Sequence, residues 1–279
     1  MKTVVTGGKG FIGNVLVKKL KSLNFEVKIL DISNGTNLTD WNQISSITSF
    51  DVLIHLAAKS YVPESYKYPQ IFYETNIVST LNCLELCRKN KAKFIYTSSY
   101  VYGNPQYLPI DEIHPVKSFN PYSNTKVIGE QICRGYHADF GVPIIIFRPF
   151  NIYGPAQNKR FLISNIISQI SNKAIYLQDP NPKRDYLFVD DMINAYIKIL
   201  NYKPDSFEIF NLGYGKSYSV PQIIKYVEKI IDKKLNVKYS NVKRKNEIND
   251  VVANIEKIQK YLNWSPQISL MDGLQKMLL

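Results

Sequence analysis

Short apolar runs alternate with amphipathic stretches through the first half of the chain. The runs Lys2–Thr6, Glu26–Leu30, Asp51–Leu56, Lys93–Thr97 and Val142–Phe147 predict strands, each compact and bounded by turn residues. Between them, apolar positions recur at helical spacing and predict helices over Phe11–Leu20, Thr39–Ile47, Pro69–Lys89 and Tyr122–Phe140. Apolar strands alternating with helices imply an α/β fold, a doubly wound parallel sheet with helices on both faces. Right-handed crossovers then bring ligands to the carboxyl ends of the strands.

After Arg148-Pro149-Phe150 the rhythm changes. Prolines recur at Pro155, Pro180, Pro182, Pro204 and Pro221, and the strands shorten. Helices are predicted over Phe161–Ser171, Val189–Leu200, Val220–Ile231, Ile255–Leu262 and Leu270–Leu279. This predicts a first domain over residues 1–152 and a smaller α/β lobe over 153–279, with interleaved segments. The whole is long enough for two such lobes around ordinary cores.

Composition narrows the picture. The longest apolar runs, such as Val142–Phe147, are far too short to cross a membrane. The chain opens directly on a strand pattern, so no leader peptide is expected. Cys83, Cys87 and Cys133 lack metal-ligand or disulfide-framework spacing, which suggests reduced thiols, no metal and a cytoplasmic location. The net charge of +12 admits anionic ligands or nucleic acid. The basic residues are scattered, however, without the aromatic-interleaved stripe that suits nucleic acid, and solvation of the surface explains most of them. Lys243-Arg244-Lys245 is the one tight basic cluster.

Candidate chemistry lies at the strand ends. Gly7, Gly10 and Gly13 follow the first strand and open the first helix. Glycines let the backbone approach a pyrophosphate, and a helix N-terminus attracts it through free N–H groups and the helix dipole. Asp31 ends the second strand, where a carboxylate accepts from ribose hydroxyls and repels a 2′-phosphate, favouring NAD over NADP. Tyr122 and Lys126 form Tyr-x-x-x-Lys, an i,i+4 pair on one helical face. A neighbouring ammonium is expected to lower the phenol's pKa and make a tyrosinate base. The same spacing recurs at Tyr239 and Lys243, in a late irregular segment where it reads as chance. The strand ending Tyr96-Thr97-Ser98-Ser99 places a hydroxyl where it could polarise a sugar oxygen beside Tyr122.

Together these residues resemble the extended short-chain dehydrogenase/reductase family, in its nucleotide-sugar epimerase/dehydratase branch. The resemblance implies a Rossmann-type dinucleotide domain with a substrate-binding lobe, and covers nearly the whole chain. It implies a cofactor loop at Gly7, Gly10, Phe11, Ile12 and Gly13. Asp51–Ala58 resembles the family's fourth strand, with Leu56, Ala57, Ala58 and Lys59 at the dinucleotide and Ser60 toward substrate. Asn76 and Pro149 match supports of the cofactor site, and Ser98, Tyr122 and Lys126 match the catalytic set, Tyr122 and Lys126 also touching cofactor. Substrate contacts are implied for Ser98, Ser99, Tyr122 and Asn151, with Arg184 and Arg244 on the diphosphate. Guanidinium forks match phosphate oxygens, although a surface cation in a basic run also explains Arg244. A homodimer through Pro69–Lys89 and Tyr122–Phe140 is implied, with Ile77, Leu81, Leu84 and Leu86 as apolar surface or as core.

Departures from the family pattern narrow the activity. The dehydratases carry carboxylates just after the catalytic Ser/Thr, whereas Ser98 is followed by Ser99-Tyr100, so water elimination is not expected. NAD-dependent 4-epimerisation and reduction of a keto-sugar remain. Asp31 favours the epimerase. The short interval from Asp31 to Asp51 nearly deletes the family's third-strand region, as in some keto-sugar reductases, and leaves Asn37-Leu38 as the adenine-side remnant. Val251 stands where hexose-restricted epimerases carry Tyr, leaving room for a C2 N-acetyl group, and Gln178-Asp179 replaces a Gly-Asp-Gly turn on the base side. A non-catalytic NAD-sensing protein on the same fold is the rival from another class; it has no need of the Ser98–Tyr122–Lys126 set.

Overall fold

A computed structural model describes residues 1–202, 207–242 and 247–279. The first strands are β1 (Lys2–Thr6), β2 (Glu26–Leu30), β3 (Val52–His55), β4 (Lys93–Thr97) and β5 (Ile144–Pro149). They pair in parallel, and the sheet is completed by a later strand, Glu208–Leu212, in the order β2-β1-β3-β4-β5 and then that strand. This is a Rossmann-type doubly wound sheet. Strand order reverses between β1 and β3, and ligands gather at that switch point. The family's third strand has no counterpart: a 3₁₀ turn (Ile32–Asn34) and a short helix, Trp41–Ile44, fill the interval instead. The predicted Thr39–Ile47 helix shrinks accordingly, because Asp40 caps it and its own turn ends it at Ser45. Within Asp51–Ala58 the strand is Val52–His55, third in this chain, as the shortened interval after Asp31 implies.

The helices of this region are α1 (Phe11–Ser22), α2 (Trp41–Ile44), α3 (Val62–Lys67), α4 (Pro69–Tyr73), α5 (Ser79–Asn90) and α6 (Pro121–Phe140). The single helix expected over Pro69–Lys89 is interrupted by a π turn, Glu74–Val78. Such turns accommodate an extra residue and often mark functional sites; here the turn carries Asn76. α6 begins sharply: Asn120 and Ser123 form a capping box, with Pro121 at the start. Leu84 and Leu86 are fully buried, so they serve the core rather than an external face, whereas Leu81 is 40% exposed.

The chain divides into two compact units. The first comprises Met1–Gly103, Pro115–Pro149 and Ala195–Phe210. Its core packs Leu53, Phe94, Tyr96, Ile144 and Ile146 against Leu84, Cys87 and Cys133 of the helices. All three cysteines are free and buried. The second unit comprises Asn104–His114, Phe150–Asn194 and Asn211–Leu279. Within it Tyr186 of the strand Lys183–Phe188 pairs in parallel with Asn151, and Ser217–Ser219 pairs antiparallel on the other side. Ile175–Leu177 and Val237–Tyr239 form a separate parallel pair. Helices Leu162–Ser168, Val220–Ile231, Glu256–Leu262 and Leu270–Leu278 lie in this unit, close to their expected ranges. Val189–Asn201 is also helical. Among the described residues, no helix is long and apolar enough to cross a membrane.

Candidate active site

In the first unit, the loop after β1 owes its shape to glycine. Gly7 has φ +66°, and a Cβ there would meet the Ala57 backbone N at 2.8 Å, so the loop lies hard against the β3 exit. A Cβ on Gly13 would stand 2.1 Å from the Gly7 carbonyl oxygen, so only glycine brings α1 this close to the turn. Gly10 is the N-cap, with no side-chain cap, and the first turn has no acidic residue. The N–H groups of Phe11, Ile12 and Gly13 therefore have no intrahelical acceptor, and the helix end faces outward with its positive pole. This is the donor set a pyrophosphate requires.

Asp31 closes the other side of the loop. Its carboxylate accepts from Lys9 N at 3.0 Å, Ser33 N at 2.9 Å and Ser33 Oγ at 2.7 Å. Burial raises its pKa, but these bonds prevail and hold the carboxyl below its ordinary value. An ionised acceptor with lone pairs to spare suits ribose hydroxyls. Asn37 is turned into its own loop, accepting from Thr39 N at 3.1 Å and Oγ1 at 2.9 Å. Leu38 is buried in the core cluster. At the β3 exit, Leu56, Ala57 and Ala58 are half-buried, whereas Lys59 and Ser60 are exposed. Asn76 grips the Lys59 backbone in both directions, accepting from its N–H at 2.8 Å and donating to its carbonyl at 3.0 Å.

The β4 exit and α6 form the reactive part of this unit. Tyr122, Lys126 and Glu130 lie at i, i+4 and i+8 on α6 and share one face. Lys126 is buried, and its Nζ donates to the Thr97 carbonyl at 2.7 Å while sitting 4.9 Å above the Tyr96 ring. Burial lowers its pKa to about 8, against the opposing pull of Cys133 and Glu130. Tyr122 differs from expectation. Its phenol is raised above the ordinary value by burial, and a hydrogen bond with Ser99 provides the opposing effect. The Lys126 ammonium, directed at Thr97, does not lower it. Ser98 also departs from its assigned direction: its Oγ donates to Glu130 Oε1 at 2.6 Å, and Ser98 is 2% exposed. Ser99, half-buried, is the hydroxyl that opposes this rise at Tyr122.

Glu130 in turn is held by Arg148 on β5, through Nε at 2.9 Å and Nη2 at 2.6 Å, and Arg148 Nη1 donates to the Tyr102 hydroxyl at 3.0 Å. Removing one partner of a buried ion pair of this kind costs roughly 3–5 kcal/mol. Neither Glu130 nor Arg148 is among the site residues expected from the sequence. The signals were present: Glu130 continues the Tyr122–Lys126 stripe, and Arg148 is a charge within an otherwise apolar strand. Pro149, which follows it, is buried.

In the second unit, Arg184 is partly buried. Its Nη1 donates to the Lys183 carbonyl at 2.8 Å and the Ile248 carbonyl at 2.7 Å, and Nη2 pairs with Glu247. Asn151 donates from Nδ2 to the Asp185 carbonyl at 3.1 Å. Asp185, fully buried, accepts from the N–H groups of Tyr214, Gly215 and Ala253. Burial raises its pKa to about 6 in spite of those three donors. Val251 is only 2% exposed and lies in the irregular segment just before Ala253, which bridges to Ile110. Arg244 and Lys243 lie outside the described residues. Tyr239 lies on the short strand Val237–Tyr239.

Residues 3–213 match the model of the NAD dependent epimerase/dehydratase family. The chain belongs to that family. It is an NAD-dependent enzyme of the extended short-chain dehydrogenase/reductase class, whose homologues are nucleotide-sugar epimerases and reductases. A relative in Methanocaldococcus jannaschii, a putative UDP-glucose 4-epimerase, is 32% identical over 98% of this chain and 96% of its own. The GDP-6-deoxy-D-mannose reductase of Pseudomonas aeruginosa is 27% identical over 98% of this chain and 95% of its own. The solved structure of UDP-glucose 4-epimerase from Thermotoga maritima, with UDP-glucose, has a TM-score of 0.91 at 26% identity. It covers 100% of this chain and 97% of that one. For this family member the loop Gly7–Gly13, the α1 N-terminus and Asp31 fit NAD by their donors, their charge and the lack of a side-chain cap or acidic residue in the first turn.

Proposed function

We propose that this family member is a nucleotide-sugar 4-epimerase. One observation carries the reading: the loop 98–103 beside Tyr122 and Lys126 offers hydroxyls and no carboxylate, so the site is equipped for proton and hydride transfer but not for water elimination. NAD is held by the Gly7–Gly13 loop, Asp31 and the Leu56–Lys59 segment, and when bound it accepts and returns a hydride. Tyr122 takes the proton of the sugar's C4 hydroxyl and gives it back, a step whose base must reach that oxygen directly. Its raised pKa falls when Lys126 is charged and turned toward it. Ser99 orients the Tyr122 hydroxyl, and Ser98 stays on Glu130. Asn151, Arg184 and Arg244 hold the diphosphate of the substrate, with Arg184 released from Glu247.

The truncated interval between β2 and β3 favours a second reading, a nucleotide keto-sugar reductase, because less protein flanks the adenine side and the cofactor leaves more readily. Denaturing the purified enzyme and identifying what it releases separates the two. Near-stoichiometric NAD supports the epimerase. An empty protein that oxidises added NADH or NADPH with a keto-sugar supports the reductase. The same reading makes the enzyme a cytoplasmic homodimer through α5 and α6, with exposed Leu81 and Phe140 in the contact, and light scattering gives the mass.

A further inference from the structure

His55 lies at the end of β3, is 1% exposed and has no role in the chemistry above. Both its ring nitrogens are engaged. Nδ1 is 2.8 Å from Thr6 Oγ1, and Nε2 is 3.2 Å from Thr80 Oγ1. The surroundings settle which nitrogen carries the proton. Thr80 Oγ1 donates its one hydrogen to the Asn76 carbonyl at 2.7 Å, so toward the ring it can only accept. Nε2 therefore bears the hydrogen. Thr6 Oγ1 already accepts from Leu56 N and Ala57 N, both at 3.2 Å, which directs its own hydrogen to Nδ1. The ring is kept neutral, its pKa lowered to about 3 by burial and then by the Lys126 charge.

The bonds continue in one direction. Asn76 donates from Nδ2 to Thr125 Oγ1 at 2.9 Å, and Thr125 donates to the Tyr122 carbonyl at 2.7 Å. Thr6, His55, Thr80, Asn76 and Thr125 are all buried, so no water competes for these groups. Buried networks of this kind, fully satisfied, hold a single geometry.

We propose that His55, as its neutral Nε2–H tautomer, is a positioning residue: it joins the β3 exit beside the cofactor loop to the first turn of α6, which carries Tyr122. The proposal rests on assigning the β3 exit to the NAD site. Through it, displacement of residues 56–57 by NAD is felt at the backbone of Tyr122.

Two measurements test it on the whole chain. Histidine-selective ¹⁵N labelling gives three pairs of ring signals, an Nδ1 and an Nε2 for each histidine, and His55→Gln assigns the pair of His55. The expected result is an Nε2–H ring unchanged from pH 8 to pH 5; an Nδ1–H or doubly protonated ring in that range overturns the proposal. The second measurement is the NAD release rate in Thr6→Val, Thr80→Val and the double variant, each checked for a wild-type melting curve. Both changes keep side-chain shape, and the loss of one such bond should speed release roughly 5-fold. The double variant should release no faster than the faster single one, because a broken relay cannot be broken twice. Wild-type release from Thr80→Val, or effects that multiply, refutes the relay. A wild-type protein that binds no NAD refutes the cofactor-site assignment instead, a result the tautomer measurement does not depend on.

Discussion

Gly13→Ala is the sharpest test of the cofactor loop's construction. The added Cβ would stand 2.1 Å from Gly7 O, 2.8 Å from Gly8 Cα and 2.9 Å from Gly7 C. All three are backbone atoms of the turn that the helix must approach, so no side chain can swing aside. Overpacking costs about 1–3 kcal/mol, and these contacts put the cost at the upper end. Alanine recovers about 1 kcal/mol of helix propensity over glycine. The net loss is about 2 kcal/mol, a fall in Tm of roughly 4–8 °C. Because the turn that moves is the one presenting N–H groups to phosphate, NAD affinity should drop by about 30-fold. Gly135→Ala on α6 is the control: nothing lies within 4 Å of its added Cβ. That variant should gain about 1 kcal/mol and bind NAD normally. Thermal melting and calorimetric NAD titration of both variants give the comparison. Wild-type melting and NAD affinity in Gly13→Ala would refute the packing argument.

Tyr122→Phe should lower turnover by about 10²–10⁴-fold while NAD binding changes little, measured by sugar conversion and by titration. Ser99→Ala should reduce turnover at nearly constant KM and shift the pH profile of Tyr122, whereas Ser98→Ala should mainly lower Tm; the reverse pattern would restore Ser98 to the reacting position. Lys126 titrates near pH 8, lowered from the ordinary 10.5, so kcat/KM should fall on the alkaline side as its charge is lost. Between those two values the unfolded chain holds the proton more firmly than the folded one, so this group makes stability rise with pH while activity falls. Lys126→Met should remove that activity limb, and a limb that persists would assign it to another group.

Much of the fold was legible because its determinants are local. Lys2–Thr6, Glu26–Leu30 and Lys93–Thr97 are strands at their expected bounds, set by apolar runs and the turns beside them. The cofactor loop was equally legible, since glycine spacing is a direct trace of backbone contact. What escaped was held by distant partners. The π turn at Glu74–Val78 follows from Asn76 bonding Lys59 and Thr125, neither of which is near it in sequence. The strand Glu208–Leu212 joins the first sheet beside β5, although it follows residue 152, the expected end of the dinucleotide domain. In the site, residue types are visible in the sequence but the directions of the side chains are not. A hydroxyl at Ser98 and an ammonium at Lys126 are visible in the sequence; that they point to Glu130 and Thr97 depends on how β4 and α6 pack.

The proposed 4-epimerase moves a hydride without net oxidation of the sugar. The direct measurement is to incubate the purified enzyme with UDP-glucose, without added cofactor, and follow the sugar by proton NMR and absorbance at about 340 nm. The expected result is the C4 epimer at a steady ratio with no net change in absorbance, and no conversion in Tyr122→Phe. No epimer with this or other nucleotide hexoses, together with stoichiometric loss of NADH or NADPH when a keto-sugar is supplied, would contradict it.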